Sequence, residues 1–437
     1  MRRNLIRSIF SPVFFIFFHF LGFPVGFLSP NLWITLLIVA LTYVGVALGR
    51  FPPLRSNRTT IALVGVGLLL LTRQLAFSDM GSYLDIDTLV LLFAMMIINA
   101  NLRLAGFFGL AGNALLRLTR SPRLFLALEI LVAGLFSALF LNDTICLMFT
   151  PLILELTLAI ERNPLPYLIA LATAANIGSV ATLTGNPQNM IIGVASGIKF
   201  LDFTLALAPI ALLSLAGIWI VLIKIYPQEF SKHSTFKIQP TSRVPYYPSL
   251  LIKCMIILAL LLIAFLLGAP VAESAFIAAC ALLITRRVKP EKVFAEIDWG
   301  LLVLFAALFV VTGSLEANGI TAILSDLTAK TGLVNAFSLS TISLVLSNLV
   351  SNVPAVLLLR PLVAGLENPI PGWLTLAASS TLAGNLTLLG SVANLIVAES
   401  AARRNVRLGF WEYTRAGILI TLFSMVISVI WITLFLW

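Results

Sequence analysis

The chain has 437 residues, of which 60% are hydrophobic and only 11% are charged. Soluble domains carry about 25% charged residues, so this composition excludes an ordinary soluble protein. The net charge of +10 comes without a basic helix or an RNA-binding motif, so we expect no nucleic-acid partner. Repeated apolar stretches of about 20 residues instead predict an all-α polytopic membrane protein, whose partner is the lipid bilayer.

Apolar segments of crossing length follow one another along the chain. We expect residues 1–30 to form an N-terminal hydrophobic anchor, because no signal-peptide cleavage site closes this stretch. We predict full crossings at about 10–28, 31–49, 59–77, 87–105, 203–225, 249–267, 270–285, 299–317 and 412–436. With the interrupted segments described next, the total comes to about 11–12 crossings.

Four further apolar segments are interrupted by polar or glycine-containing sequences. They are the apolar pairs 124–160 ("LNDT") and 334–366 ("SNVP") and the broken segments 165–198 ("TLTGNP") and 371–402 ("GNLTLLGS"). The end pieces 187–198 and 392–402 are shorter than the ~17–25 residues that a crossing needs, so each broken segment crosses once as two half-helices. Each apolar pair enters and leaves on one side, either as a re-entrant hairpin or as two complete helices.

The basic residues predict the orientation. With a cytoplasmic N-terminus, all of the 28 Lys and Arg residues except Arg73, Lys199, Lys330 and Arg360 fall at cytoplasmic ends, as the positive-inside rule requires. We therefore predict a multi-pass protein of the bacterial plasma (inner) membrane.

The sequence is also internally duplicated. "NDTICLMFTPL" aligns with "NVPAVLLLRPL" and "TLTGNPQNMII" aligns with "TLLGSVANLIV". Repeat one, residues 31–227, crosses an odd number of times, so repeat two, residues 249–437, begins from the opposite face. Residues 228–248 form a cytoplasmic linker. Inverted repeats with re-entrant hairpins and broken transmembrane helices are typical of secondary transporters.

The interruptions predict helix caps and a binding site. The predicted caps of the helices that follow are Asn186 before Pro187, Ser351-Asn352 before Pro354, and Ser391. Open N-termini of half-helices favour an anion or oxygen-rich solute, and unwound carbonyls with Asn, Ser and Thr oxygens suit Na⁺. If the coupling ion is Na⁺, we expect it at Asn142 and Asn352; no other metal or cofactor is expected. The predicted binding residues are Asn142, Asp143, Thr144, Thr184, Gly185, Asn186, Pro187, Asn189, Ser351, Asn352, Pro354, Asn385, Gly390, Ser391 and Asn394.

Structural alternatives remain open at several of these positions. "LNDT" could be an ordinary turn between spanning helices, and Asn189 and Asn394 could serve only helix–helix packing. Asp143 is the predicted coupling residue, because a carboxylate beside an anion needs a proton or cation; the alternative is a buried helix cap.

Other charged residues have structural interpretations. Arg360 is expected to pair with Glu367 or Asp326. Glu129 and Glu399, near crossing ends, are expected to be interfacial or paired.

The motifs "LNDTICLMFTPLIL", "ANIGSVATLTGNPQNMIIG", "SNLVSNVPAVLLL" and "GNLTLLGSVANLIVAE" resemble the ion transporter superfamily, in particular its arsenite-permease/NhaD and citrate-transporter-like (anion permease) branch. In related dicarboxylate/sodium symporters, Ser-Asn-Thr motifs at the hairpin tips bind Na⁺ and carboxylate, and the transport domain moves as an elevator against a dimeric scaffold. The resemblance therefore implies a homodimer. Leu141 in place of the first serine, Asp143 in the first motif and Val353-Pro354 in the second depart from that pattern, which makes proton coupling more plausible.

We therefore expect a secondary active transporter of a small anion or oxyanion, carboxylate or inorganic, coupled to H⁺ or Na⁺. The alternatives are a metalloid (arsenite- or silicic acid-like) efflux permease, a Na⁺/H⁺ antiporter or a passive channel. We do not expect an enzyme, because the chain has only two histidines and no catalytic arrangement around them.

Overall fold

The computed structural model describes residues 30–49, 56–159, 161–231, 246–319 and 335–437. The described chain is helical. The numbered helices are α1 (Pro30–Leu48), α2 (Arg58–Leu71), α3 (Ile86–Ala105), α4 (Phe107–Leu118), α5 (Pro122–Leu139), α6 (Asn142–Ala159), α7 (Leu165–Ser179), α8 (Pro187–Ser196), α9 (Phe200–Ile225), α10 (Pro248–Leu266), α11 (Val271–Leu283), α12 (Trp299–Ala317), α13 (Ala336–Val350), α14 (Asn352–Ala364), α15 (Pro369–Ala383), α16 (Val392–Ala402) and α17 (Phe410–Phe435).

Seven described helices are long and apolar enough to cross a membrane: α3, α5, α6, α9, α10, α12 and α17. The predicted crossings at 87–105, 203–225, 249–267, 299–317 and 412–436 correspond to five of them. The other two, α5 and α6, are the arms of the first apolar pair. A polytopic all-α membrane protein is therefore confirmed, whereas the number of crossings, the orientation and the inversion of the repeats stay predictions.

Two predicted crossings are shorter helices in the structure, namely α2 and α11, whereas α1, with 19 residues, matches the crossing predicted at 31–49. The helix predicted at 59–77 ends at Leu71 because Arg73 adopts a left-handed φ of 56° and the Gln74 N–H bonds to the Leu69 carbonyl. This arrangement closes the last helical turn and stops its continuation. The anchor at 10–28 and most of the linker lie outside the described residues.

The second apolar pair is too short to form two complete crossings. α13 has 15 residues and begins at a capping box on Asn335, and α14 has 13 residues. At 1.5 Å per residue these arms measure ~20–22 Å, against a hydrocarbon core of ~30 Å. Their length favours a re-entrant hairpin. The arms of the first pair have 18 residues each, or ~27 Å, so length alone leaves that pair open.

The helices pack in two groups. The flanking group comprises α1, α2, α3, α10, α11 and α12, with α11 against α3 and α12 against α2. The central group comprises α5 to α9 and α13 to α17. Within it, each apolar pair packs on the broken segment of its own half, α5 on α7 and α13 on α15. The halves also interlock, because α8 contacts α15 and α16 contacts α6.

The two broken segments lie at the centre of the molecule. Every residue from Pro166 to Ser179 is buried in α7, and so is every residue from Pro371 to Ala383 in α15. Small residues allow neighbouring helices to approach closely, as is common in membrane bundles. At Gly178, a Cβ atom would lie 2.1 Å from the carbonyl oxygen of Gly134 on α5.

An ion pair joins the two groups. Arg360 on α14 donates to Asp85 at 3.0 Å, and Asp85 also caps the first turn of α3. The expected pairing of Arg360 with Glu367 or Asp326 is therefore wrong for Glu367, and Asp326 lies outside the described residues. The physical reason is that the start of α3 brings the Asp85 carboxylate within hydrogen-bond distance of Arg360.

Candidate functional site

The two breaks separate half-helices of unequal length. The first break, residues 180–186, lies between α7 and α8, and the second break, residues 384–391, lies between α15 and α16. Asn186 Oδ1 accepts the backbone N–H of Asn189 at 2.9 Å, and Ser391 Oγ accepts that of Ala393 at 3.3 Å. The predicted caps at Asn186 and Ser391 are confirmed.

The two breaks are held by the same hydrogen bonds at equivalent positions. Asn189 Nδ2 donates to the carbonyl oxygens of Ser179 and Thr182, at 3.0 and 2.9 Å. Asn394 Nδ2 donates to those of Gly384 and Thr387, at 2.8 and 3.1 Å. Each donor and each acceptor in the second break lies the same number of residues after its counterpart in the first break. The two unwound loops therefore have the same hydrogen-bonding pattern. In both, the amide satisfies carbonyl groups that the interrupted helix leaves free.

The first tip, residues 140–142, touches the first break directly. The backbone N–H of Asn142 donates to the Gly185 carbonyl at 3.0 Å. Gly185 lies so close to its neighbours that a Cβ atom would sit 2.6 Å from the Ser179 carbonyl oxygen and 2.8 Å from that of Ser137. Only glycine allows this approach.

The second tip, residues 350–352, lies against the second break through side-chain contacts. A Cβ atom on Gly384 would lie 3.0 Å from Asn352 Nδ2, and Asn348 Nδ2 donates to the Ala383 carbonyl at 3.1 Å. Ser351 itself adopts φ 80° and ψ 160°, a region that glycine tolerates far better than serine. Its hydroxyl makes no capping bond to α14, so the capping role predicted for Ser351 is wrong.

Asn176, near the end of α7, connects both halves. Its Oδ1 accepts from Asn142 Nδ2 and Ser391 Oγ, each at 3.1 Å. Its Nδ2 donates to Asn385 Oδ1 at 2.9 Å and to Asn394 Oδ1 at 3.0 Å. One side chain thus ties the first tip to the second break.

Thr381, near the end of α15, connects the second half to the first break. Its hydroxyl accepts from Asn186 Nδ2 at 3.2 Å and from Gln188 Nε2 at 3.1 Å, both at the first break. Neither Asn176 nor Thr381 was among the predicted site residues. The signal was available, because the alignment of the two broken segments places Asn176 opposite Thr381.

Several buried amide atoms around the tips and breaks have no hydrogen-bond partner among the described residues. They are Asn142 Oδ1, Asn189 Oδ1, Asn348 Oδ1, Asn352 Oδ1 and Asn385 Nδ2. Asn142 and Asn352 are 5% and 8% exposed, so bulk water does not cover them. These four free oxygens and one free N–H₂ can bind hydroxyl groups or oxygens of a solute, or a Na⁺ ion at the oxygens.

Asp143 and Thr144 extend from the first tip toward the flanking group. The Thr144 hydroxyl accepts from Asn99 Nδ2 on α3 at 3.5 Å. The Asp143 carboxylate, which is partly buried, lies within electrostatic range of Arg58 at the start of α2 and of Asp298, the cap of α12. A charged residue of the central group therefore faces the other group of helices.

The structure brings most of the predicted residues to one region. Thr184 and Pro187 are buried in and beside the first break, Pro354 follows the second tip, and Gly390 lies in the second break. Whether these residues bind a solute or ion stays a prediction.

Comparisons with known proteins identify the class of protein. The family model described as "Citrate transporter" matches residues 43–376. The silicon efflux transporter LSI3 of Oryza sativa subsp. japonica is 32% identical, over 86% of this chain and 93% of that protein. The putative transporter arsB of Dictyostelium discoideum is 24% identical, over 85% of this chain and 86% of that protein.

Among solved structures, the YdaH transporter of Alcanivorax borkumensis has a similar fold, with a TM-score of 0.60 and 16% identity. The structural match covers 92% of this chain and 98% of the YdaH chain. The protein is thus a multi-pass membrane transporter. It belongs to the citrate transporter family, which confirms the resemblance found in the sequence.

Proposed function

We propose that the protein is a secondary active transporter that moves a small, oxygen-rich solute, an oxyanion or its protonated acid, in exchange or together with H⁺ or Na⁺. The observation that carries this proposal is the meeting of two tips and two breaks around buried amide atoms without partners. Irregular backbone of this kind is tolerated inside a membrane only where it is buried in protein or lines a cavity. The free amide atoms are suited to oxygen-bearing ligands.

The polar groups of this region favour a solute of low charge. Among the described residues, no lysine or arginine donates a hydrogen bond to either tip or either break. A tricarboxylate would bring several negative charges into a region whose hydrogen-bond donors are amides, hydroxyls and helix N-termini and which already contains the Asp143 carboxylate, and uncompensated charge is costly there. This favours the second candidate, efflux of an undissociated metalloid acid. The rice relative is named a silicon efflux transporter.

The coupling step is assigned to Asp143. Its carboxylate is the acidic group next to the first tip, and binding of a proton or Na⁺ removes the cost of a charge at that depth. Proton binding also explains how a solute without charge can be moved against its gradient.

Alternating access is proposed to occur between the two groups of helices. Asn176 and Thr381 tie the first tip and both breaks together, and Asn348 ties the second apolar pair to the end of α15, so the central group is expected to move as one body against the flanking group. The Arg360–Asp85 pair and the Asn99–Thr144 contact join the groups and would break in that movement. The proposal includes a homodimer in the bacterial plasma membrane with a cytoplasmic N-terminus.

The test is uptake by proteoliposomes containing the purified protein. The panel comprises silicic acid, arsenite, phosphate and citrate, each measured under separate pH and Na⁺ gradients. We expect saturable, gradient-driven movement of one of the small acids, loss of that movement in Asn352→Ala, and its retention in the matched control Asn113→Ala on α4. Ohmic, non-saturable flux would instead identify a passive channel and reject the carrier.

A further inference from the structure

Glu129 is a buried acid outside the tips and breaks. It lies in α5, a helix long and apolar enough to cross a membrane, and its residue is only 1% exposed. Neither carboxylate oxygen has a hydrogen-bond partner among the described residues. The expectation that Glu129 is interfacial or paired is therefore wrong, because α7 packs over α5 and covers it.

A carboxylate in such a place is stable only when something neutralises it. An unpaired buried charge costs several kcal/mol, and no basic side chain bonds to this one. A bound proton removes the charge at once. The equivalent position in the second half, by the alignment of the two tips, is Leu339, which is also 1% exposed. The fold therefore accepts an apolar side chain here, so the acid is not needed for packing.

A polar network begins beside Glu129. The Tyr167 side chain on α7 lies within electrostatic range of Glu129, and its hydroxyl donates to Glu229 Oε1 at 3.0 Å. Glu229 is paired with Arg162 at 3.8 Å, where both side chains reach the surface. The Phe125 and Phe230 rings pack on Tyr167. Tyr167 is thus the polar side chain between the Arg162–Glu229 pair, to which it is hydrogen-bonded, and Glu129, which it reaches by electrostatic interaction without a hydrogen bond.

The other helices packed against α5 bring no charge to Glu129. On α4 and α6, Arg117 and Glu155 are exposed. Asp143 lies beyond the first tip, past the ten residues of α5 that follow Glu129, or ~15 Å by helical rise. On α9, Asp202 and Lys224 lie in the first and last turns.

We propose that Glu129 is a second proton-binding site of the first apolar pair, which takes up one proton from the Arg162–Glu229 end and releases it during the transport cycle. In this step the carboxylate gains one proton and becomes a neutral carboxylic acid, and no other bond changes. The inference rests on the proposed function only in its link to transport, because proton binding itself can be measured on the resting protein.

Infrared difference spectroscopy of the purified full-length protein, recorded between acid and alkaline pH, tests proton binding directly. We expect the C=O stretch of a buried carboxylic acid to appear at acid pH in the wild type and in Glu155→Gln. It should be lost in Glu129→Gln and in Glu129→Leu, the variant matched to Leu339. A spectrum in which both Glu129 variants keep the full band overturns the proposal. So does a wild-type Glu129 band that does not change with pH.

Proton movement in proteoliposomes tests the link to transport. Vesicles loaded with a pH-sensitive dye are given gradients of silicic acid or citrate, as in the panel above. We expect solute-driven proton movement to be lost in Glu129→Gln, while exchange of labelled for unlabelled solute is retained. Unchanged proton movement in Glu129→Gln overturns the link. If the wild type moves no solute of the panel, the proposed function fails, and the infrared result still decides whether Glu129 binds a proton.

Discussion

Replacing Asn176 by alanine should destabilise the centre of the protein more than any comparable change on the same helix. The substitution removes four hydrogen bonds, to Asn142, Ser391, Asn385 and Asn394. Ser391 Oγ still accepts its capping bond and its hydroxyl can rotate, whereas the side-chain amides of Asn142, Asn385 and Asn394 each lose a partner in a buried place. At about 1–3 kcal/mol per orphaned group, the sum is about 3–9 kcal/mol. We expect the lower half of this range, because water can enter the space left by the amide.

The matched control is Thr173→Val, one turn earlier on α7 and equally buried. The Thr173 hydroxyl bonds only to carbonyl groups of its own helix, of which the Ile169 carbonyl is the nearer, at 2.7 Å. Its loss orphans no donor, so we expect a cost of about 0.5–1 kcal/mol. The assay is a chemical unfolding titration in mixed micelles, followed by tryptophan fluorescence and circular dichroism. If the free energies of unfolding of Asn176→Ala and Thr173→Val differ by less than about 1 kcal/mol, the network does not hold the two halves together.

Three further predictions concern single positions. Asp143→Asn should leave a folded protein without gradient-driven uptake in proteoliposomes; full uptake would remove Asp143 from the coupling step. Gly178→Ala should lower the free energy of unfolding by about 1–3 kcal/mol or more, since its Cβ meets the Gly134 backbone, whereas Gly67→Ala, with nothing within 4 Å, should not. Ser351→Gly should raise the free energy of unfolding by about 1 kcal/mol in the same titration, because glycine accepts φ 80° without strain; a lower value would show that the serine hydroxyl matters more.

The positions of the breaks could be predicted because each has a local signature. The pieces after Asn186 and Ser391 are too short to cross a membrane, and both residues are good helix caps, so length and capping agree. The same reasoning failed at Ser351. There the cap residue adopts a positive φ, which depends on how the tip is pressed against the second break rather than on the residue type.

Contacts between the halves could not be predicted in this way. The alignment of the repeats shows that Asn176 and Thr381 are equivalent positions. It does not show which residues form hydrogen bonds with either of them. In the structure each residue bonds to the break of the opposite half, which follows from how α7 and α15 meet at the centre.

The Arg360–Asp85 pair illustrates the same limit on a larger scale. Sequence proximity favoured Glu367, seven positions away, whereas the structure supplies a carboxylate from the other group of helices. Arg360, on an arm of the second apolar pair, therefore forms an ion pair between the two groups of helices rather than with a residue near it in the sequence. Such pairs depend on the packing of whole helices, and a local pattern contains no information about that packing. For this reason, the residue pairs that join the two groups of helices cannot be predicted from a single sequence.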